Sequence, residues 1–405
     1  MKDKAIEKLI TLEAKRQRES LDLIASENLA SHDVLQPLGT ILSNKYSEGY
    51  PGRRYYPGNI YYDKIERLAQ ERALKLFKLN PKNWSVNVQP YSGSPANLAV
   101  YVGLSKPGDT IMGMKLAAGG HLTHGHKVSA TGMFYNSVQY GVDVKTGLVN
   151  FDELLRLARK EKPKVLVSGF TAYPRRFNFK KFGEIAKEVG AYHFADMSHI
   201  AGLVAGGAHL SPFPHADVVM TTTHKSLRGP RGAMLFSRAE ISKKIDKAVF
   251  PGLQGGPHNN TTAAMAVAFR EALKPEFKTY AKQIVKNAKA LAEELKTLGF
   301  ELVSGGTDTH LILTDMRAFD MNGSTAEERL EKVNIIANRN SVPGDPSPFK
   351  PSGVRMGTPT LTTRGMKERE MRLVANLIYD AIHEKPGTKA KVLALCKKFP
   401  AKGYL

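Results

Sequence analysis

Lys225 lies in the run Thr221-Thr222-Thr223-His224-Lys225-Ser226-Leu227-Arg228-Gly229-Pro230-Arg231-Gly232. A Thr-rich stretch suited to a strand precedes it, and a Gly-Pro turn follows. A lysine so placed can be held rigidly in a pocket, where its amine can form a Schiff base with an aldehyde cofactor. Asp196 stands 29 residues upstream, at the end of the apolar stretch Ala191-Tyr192-His193-Phe194-Ala195. An aspartate at a strand end, followed at this spacing by such a lysine, suits a pyridoxal phosphate enzyme. The carboxylate would keep the pyridine nitrogen protonated, and the lysine would hold the aldehyde.

Three further segments carry chemistry-bearing residues: Asn44-Lys45-Tyr46-Ser47-Glu48-Gly49-Tyr50-Pro51-Gly52-Arg53-Arg54-Tyr55-Tyr56, Gln89-Pro90-Tyr91-Ser92-Gly93-Ser94-Pro95-Ala96-Asn97, and Ser352-Gly353-Val354-Arg355-Met356-Gly357-Thr358-Pro359. With the lysine run, these make the chain resemble the serine hydroxymethyltransferase family, from about Leu23 to about Arg364. The lysine run and the Tyr46 to Tyr56 segment are specific to that family. The Asp-to-Lys spacing is shared by fold type I pyridoxal enzymes more widely.

The residues themselves favour particular roles. Ser92-Gly93-Ser94-Pro95 reads as a helix start, with Ser94 as N-cap and Pro95 in the first turn, a place where free N–H groups face an anion. Arg355 can grip a carboxylate through two parallel hydrogen bonds. His121, His124 and His126 crowd together, but no carboxylate or cysteine lies near in sequence, so no metal is expected.

The resemblance adds more. It implies a phosphate site at Gly93 and Ser94, completed by Tyr46, Gly255 and Gly256 from a second subunit, hence a homodimer with shared sites or a tetramer built from it. It puts His121 against the pyridine ring, Asp196 at its nitrogen and His199 near its phenolic oxygen. Thr171 and Arg231 line the cofactor pocket, and His224, just before the lysine, tunes which reactions the Schiff base undergoes. Ser26 assists Arg355, and Tyr56 orients the amino acid. Glu48 shuttles a proton between serine hydroxyl, one-carbon unit and folate. Tyr55, Leu116, Gly120, Leu122, Asn340, Ser347, Pro348 and Phe349 surround tetrahydrofolate. Ala118, Thr171, Ile60 and a turn at 345–349 one residue short depart from the family pattern; none removes a catalytic group.

The implied reaction interconverts serine plus tetrahydrofolate with glycine plus methylene-tetrahydrofolate. A folate-independent aldolase acting on threonine-like substrates is the rival within the same chemistry; Glu48, Tyr55 and Asn340 argue against it. The net charge of +21 raises a rival of another class, a nucleic-acid binder. The basic residues are dispersed, with the densest group at Lys385, Lys389, Lys391, Lys397, Lys398 and Lys402.

These side chains need a scaffold. At 405 residues the chain can bury at least one large core. No apolar run reaches the length of a membrane span, the N-terminus lacks an apolar signal core, and the single Cys396 excludes an internal disulfide, which fits a reducing cytoplasm. Helical spacing covers 5–20, 63–79 (Ile65, Leu68, Leu76 and Phe77 inward), 179–189 and 262–298 with a break near Pro275. Strands fit 110–112, 165–168, 192–195, 217–222, 301–304 and 310–314. Alternation of this kind predicts an α/β fold with a mainly parallel sheet. The expected organisation is a helical arm over 1–22, a large cofactor-binding domain over 23–271 and a smaller α+β domain over 272–405.

Overall fold

The computed structural model describes residues 1–347 and 349–401; Pro348 and Lys402 lie outside them. Seven strands form the main sheet, in the order Trp84–Asn87, Ala233–Arg238, Val218–Thr222, Tyr192–Asp196, Val165–Gly169, Thr110–Met114, Asn136–Tyr140. The last five pair in parallel. Ala233–Arg238 runs antiparallel to both its neighbours. Alternation along each strand sends side chains into two cores. Ile111, Val165, Val167, Phe194 and Val218 meet the helix Gly93–Leu104 through Ala96, Val100 and Tyr101. Met112, Leu166, Ala195 and Val219 face Phe182 of Phe179–Val189 and Phe269 of Asn259–Ala272. Burial on both faces explains why these strands read as apolar runs.

A smaller sheet, in the order Glu301–Leu302, Leu311–Asp315, Gly353–Gly357, Asn338–Asn340, has its own core. Leu21 and Leu23 join that core, and Leu21 pairs with Ile335. The helix Pro275–Thr297 links both cores: Phe277, Ala281 and Ile284 pack in the larger, Leu291, Ala292 and Leu295 in the smaller. The helix Lys4–Arg18 buries no residue and leaves Ile6, Leu9, Ile10 and Leu12 exposed.

Several elements differ from their sequence reading. The expected helix 63–79 is Ile60–Leu76, and Leu68 is exposed. The inward stripe is Glu66, Ala69, Ala73 and Leu76, and Leu68 sits about 100° away from it around the helix. The strand expected over 301–304 stops at Leu302, because Ser304 turns into the left-handed region at φ 57°.

Glu66 is buried because Arg54 meets it. Arg54 Nη2 donates to Glu66 Oε2 at 2.7 Å, Nε to Asp63 at 2.8 Å, and Nη1 to the carbonyls of Ser47 and Gly49. Burial raises the Glu66 carboxyl, opposed by Arg54 and by the Gln89 amide. This network fastens the Tyr46 to Tyr56 segment to the sheet. Arg54→Ala leaves an unpaired buried carboxylate and is expected to cost about 3–5 kcal/mol, measured by urea unfolding. A loss below about 1 kcal/mol would mean water reaches Glu66 freely.

Candidate active site

Met114, Gly169, Asp196 and Thr222 end four parallel strands on one edge of the main sheet. Ligands collect at such carboxyl ends. Asp196 and Met220 are register partners on adjacent strands, so the loop carrying Lys225 emerges beside the aspartate.

Asp196 is buried and held by donors from three residues. Ser198 gives its N–H (3.1 Å) and hydroxyl (2.6 Å) to Oδ1. Asn97 Nδ2 (3.0 Å) and His124 Nε2 (3.1 Å) approach Oδ2. The tautomer of His124 follows from its other nitrogen: Nδ1 accepts the His121 N–H at 3.2 Å, so Nε2 carries the proton. Burial alone opposes ionisation of Asp196, but His124, Ser198 and Asn97 outweigh it and hold the carboxyl well below its usual range. A permanent anion at this depth suits a cationic partner.

Lys225 Nζ lies 3.1 Å from Thr222 Oγ1. Burial lowers its amine to about 8; Asp196 opposes the shift, and Arg355 and Arg231 add to it. Labelling of cofactor-free protein at Lys225 by an aldehyde and borohydride is therefore expected to show a midpoint near pH 8. A midpoint near the ordinary lysine value of ~10.4 would mean the amine is solvated.

The histidines around it are held neutral. His121 is lowered to about 4, His224 and His310 to about 3, and His199 well below its normal value, with burial the largest cause for each. His121 Nδ1 sits 2.7 Å from Thr123 Oγ1, and His199 Nδ1 lies 3.4 Å from His310 Nε2. His224 Nδ1 is buried without a hydrogen bond among the described residues. With these rings uncharged, Lys225, Arg231 and Arg355 supply the positive field and Asp196 the deep negative one.

Thr222 also packs on the helix start. A Cβ added to Gly93 would come 2.9 Å from Thr222 Cγ2, so the backbone approaches as only glycine allows. The helix begins at Gly93 with Ser92 as N-cap, two residues earlier than expected; Ser94 is inside it and exposed, and no side chain caps the N–H groups. Those donors stay available to an anion beside the lysine.

Arg355 comes from the smaller sheet. Nε donates to Asn338 Oδ1 at 3.1 Å and Nη1 to the Thr171 carbonyl at 2.9 Å. Burial lowers its guanidinium to about 10, and Glu27 opposes this. The Thr171 hydroxyl lies 3.2 and 3.1 Å from the carbonyls of Gly119 and Gly120. The turn Leu116–Ala118, Gly120 and the half-exposed Leu122 are thus tied to the loop that touches Arg355. Gly120 passes so close to the Met114 carbonyl that a Cβ would collide at 2.0 Å. Ser26, His224 and Arg231 line a cavity of about 760 Å³ together with Asn28, whose Nδ2 donates to the Lys225 carbonyl at 3.1 Å.

A second cluster forms on the surface. Tyr46 and Tyr56 lie 5.6 Å apart, and the Glu48 carbonyl accepts the Tyr55 N–H. A side chain at Gly255 would meet Glu48 Oε1 at 3.3 Å, and one at Gly256 the Tyr46 ring at 3.1 Å. Tyr46, Tyr55 and Tyr56 are 63, 73 and 44 % exposed. Among the described residues no hydrogen bond or ion pair joins this cluster to Lys225, Asp196 or Arg355. Among the described residues no hydrogen bond joins Ser347 or Phe349 to those three side chains either: Phe349 is exposed, and Ser347 Oγ accepts the Phe349 N–H.

Sequence reasoning missed His124, Asn97, Ser198 and Asn338. Ser198 had a signal, since a side chain two residues after an aspartate commonly closes a local turn on it. The others depend on contacts distant in sequence. His124, one of three histidines close in sequence, bonds Asp196.

An electron-withdrawing ring held between an anion and an amine at a strand edge defines the fold type I class of pyridoxal phosphate enzymes. Within that class the chain belongs to the serine hydroxymethyltransferase family, whose model, described as serine hydroxymethyltransferase, matches residues 1–378. It is similar to the protein of Acidothermus cellulolyticus named serine hydroxymethyltransferase, with 58% identity over 374 residues, which are 92% of this chain and 87% of that one. No helix among the described residues is long and apolar enough to cross a membrane.

Proposed function

We propose that the chain transfers the hydroxymethyl carbon of serine to tetrahydrofolate, reversibly, with pyridoxal phosphate attached to Lys225. The observation that carries this is the pairing of a buried Asp196 anion, kept ionised by its hydrogen bonds, with a lysine amine lowered to about 8 in the loop after the neighbouring strand. The residues present fit the cofactor: the glycine-shaped approach at Gly93 leaves uncapped N–H groups for its phosphate, and His224 offers an unpartnered nitrogen. When bound, the ring supplies an electron sink for the bond broken at the amino acid.

The chain's own groups do the rest. Lys225 holds the aldehyde and exchanges a proton at its nitrogen. Asp196 keeps the ring nitrogen's proton in place, and His124, Asn97 and Ser198 keep Asp196 charged. His121, a neutral flat side chain, would pack on the ring, with Thr171, His199, His224 and Arg231 around it. Gly93 and Ser94 take the phosphate, joined by Tyr46, Gly255 and Gly256 of a second copy. Arg355, with Ser26, takes the substrate carboxylate. Tyr56 orients the amino acid, and Glu48 moves the proton at the serine oxygen and the folate nitrogen. Folate lies against Tyr55, Leu116, Gly120, Leu122, Asn340, Ser347 and Phe349.

Exposure of the Tyr46 cluster and the uncovered apolar residues of Lys4–Arg18 support a homodimer whose sites are shared. The same reading divides the chain near residue 272 into a cofactor-holding part and a smaller part that supplies Arg355, with an arm before residue 23. The lone Cys396 supports a cytoplasmic setting. The test is glycine formation from serine by the pyridoxal phosphate-loaded protein, with and without tetrahydrofolate. Strong folate dependence is expected; equal rates in both assays would favour the aldolase.

A further inference from the structure

Arg355 must present its guanidinium in one orientation to a carboxylate. Its strand pairs with Asn338–Asn340 in a register that sets Asn338 directly opposite Arg355. Residues opposed on antiparallel strands project from the same face. The Asn338 amide orientation is fixed by both ends: Nδ2 donates to the Arg339 carbonyl at 2.9 Å, so Oδ1 faces Arg355 Nε at 3.1 Å. A flipped amide would set donor against donor. With Nη1 on the Thr171 carbonyl, two of the five guanidinium N–H groups are occupied and three remain.

Both holding atoms are neutral. Among the described residues no carboxylate forms an ion pair with Arg355, so its full charge is kept while its plane is fixed. We infer that Asn338 is the positioning residue for the substrate carboxylate: it orients Arg355 without neutralising it. This rests on the reading of Arg355 as the carboxylate-binding residue.

The experiment compares wild type, Asn338→Ala, Asn338→Asp and Arg355→Lys, all loaded with pyridoxal phosphate. Calorimetry measures binding of glycine and of methylamine, which has no carboxylate. Asn338→Ala is expected to weaken glycine about tenfold, the effect of losing a hydrogen bond to a charged group. Asn338→Asp keeps the shape and the acceptor but adds a negative charge, and is expected to weaken glycine further. Methylamine binding and the cofactor's visible absorption are expected to stay unchanged. The near-isosteric aspartate variant carries the test if the alanine variant does not fold. Glycine affinity within about twofold of wild type in both Asn338 variants, with Arg355→Lys impaired, overturns the role of Asn338. Equal losses for glycine and methylamine overturn it too, because they mark a general structural defect. Unimpaired glycine binding by Arg355→Lys instead overturns the underlying reading of Arg355.

Discussion

Lys225→Ala is expected to lower turnover by at least about 10³-fold while leaving the fold intact. The amine makes one described side-chain bond, to Thr222, so little structure depends on it. Asp196 keeps all its donors in the variant, since none of them is Lys225. Removing the amine relieves the burial that lowers it to about 8 and the repulsion with Arg355 and Arg231, against the loss of a larger attraction to Asp196. Thermal stability is therefore expected to hold or rise slightly. The cofactor can still be drawn to the donors at Gly93, but reversibly. Borohydride treatment followed by mass measurement separates the two cases: the wild type retains one cofactor per chain, and the variant none. Full retention in the alanine variant would show that another amine does the work.

The second large effect concerns Glu48. Glu48→Gln preserves size and leaves the contacts near Gly255 in place, but it cannot exchange a proton at neutral pH. Folate-dependent cleavage of serine is expected to fall about 10²- to 10⁴-fold, the contribution typical of a positioned acid–base group. Attachment of the cofactor is expected to be unchanged, because no described bond or ion pair joins Glu48 to Lys225 or Asp196. Mixing this variant with Lys225→Ala is a sharper test. Glu48 lies beside Gly255, which the proposed reading gives to the partner's site, so in a two-fold dimer each hybrid contains one site with both defects and one with neither. A random mixture then regains about a quarter of the wild-type sites. No recovery after confirmed subunit exchange would mean that Lys225 and Glu48 of one site come from the same chain.

How legible these groups were depends on whether their signal was local. Lys225 and Asp196 carry their signals in the residues beside them, a strand end in each case. The two-sided burial of Val165–Gly169 and Tyr192–Asp196 was readable for the same reason: both are apolar runs between turn residues. Leu68 was misjudged because helical spacing alone does not say which face meets the core. A buried Glu66 was unexpected because its partner Arg54 makes that burial tolerable, and their pairing depends on the turn between them. The helix start at Gly93 was displaced because the residue before it adopts an extended backbone without using its side chain as a cap.

The order of residues by itself determined which groups can react and the alternation of elements that sets them on one sheet edge. It also carried the family likeness, since that lies in contiguous motifs. Tertiary structure alone decided the charge each group bears and the direction it faces. Three donors from separate parts of the chain keep Asp196 ionised, and strand register sets Asn338 against Arg355. Burial keeps the histidines neutral and frees the Lys225 amine near pH 8. The physical reason is that desolvation and hydrogen bonding depend on what surrounds an atom in space, and neighbours in space are mostly distant along the chain.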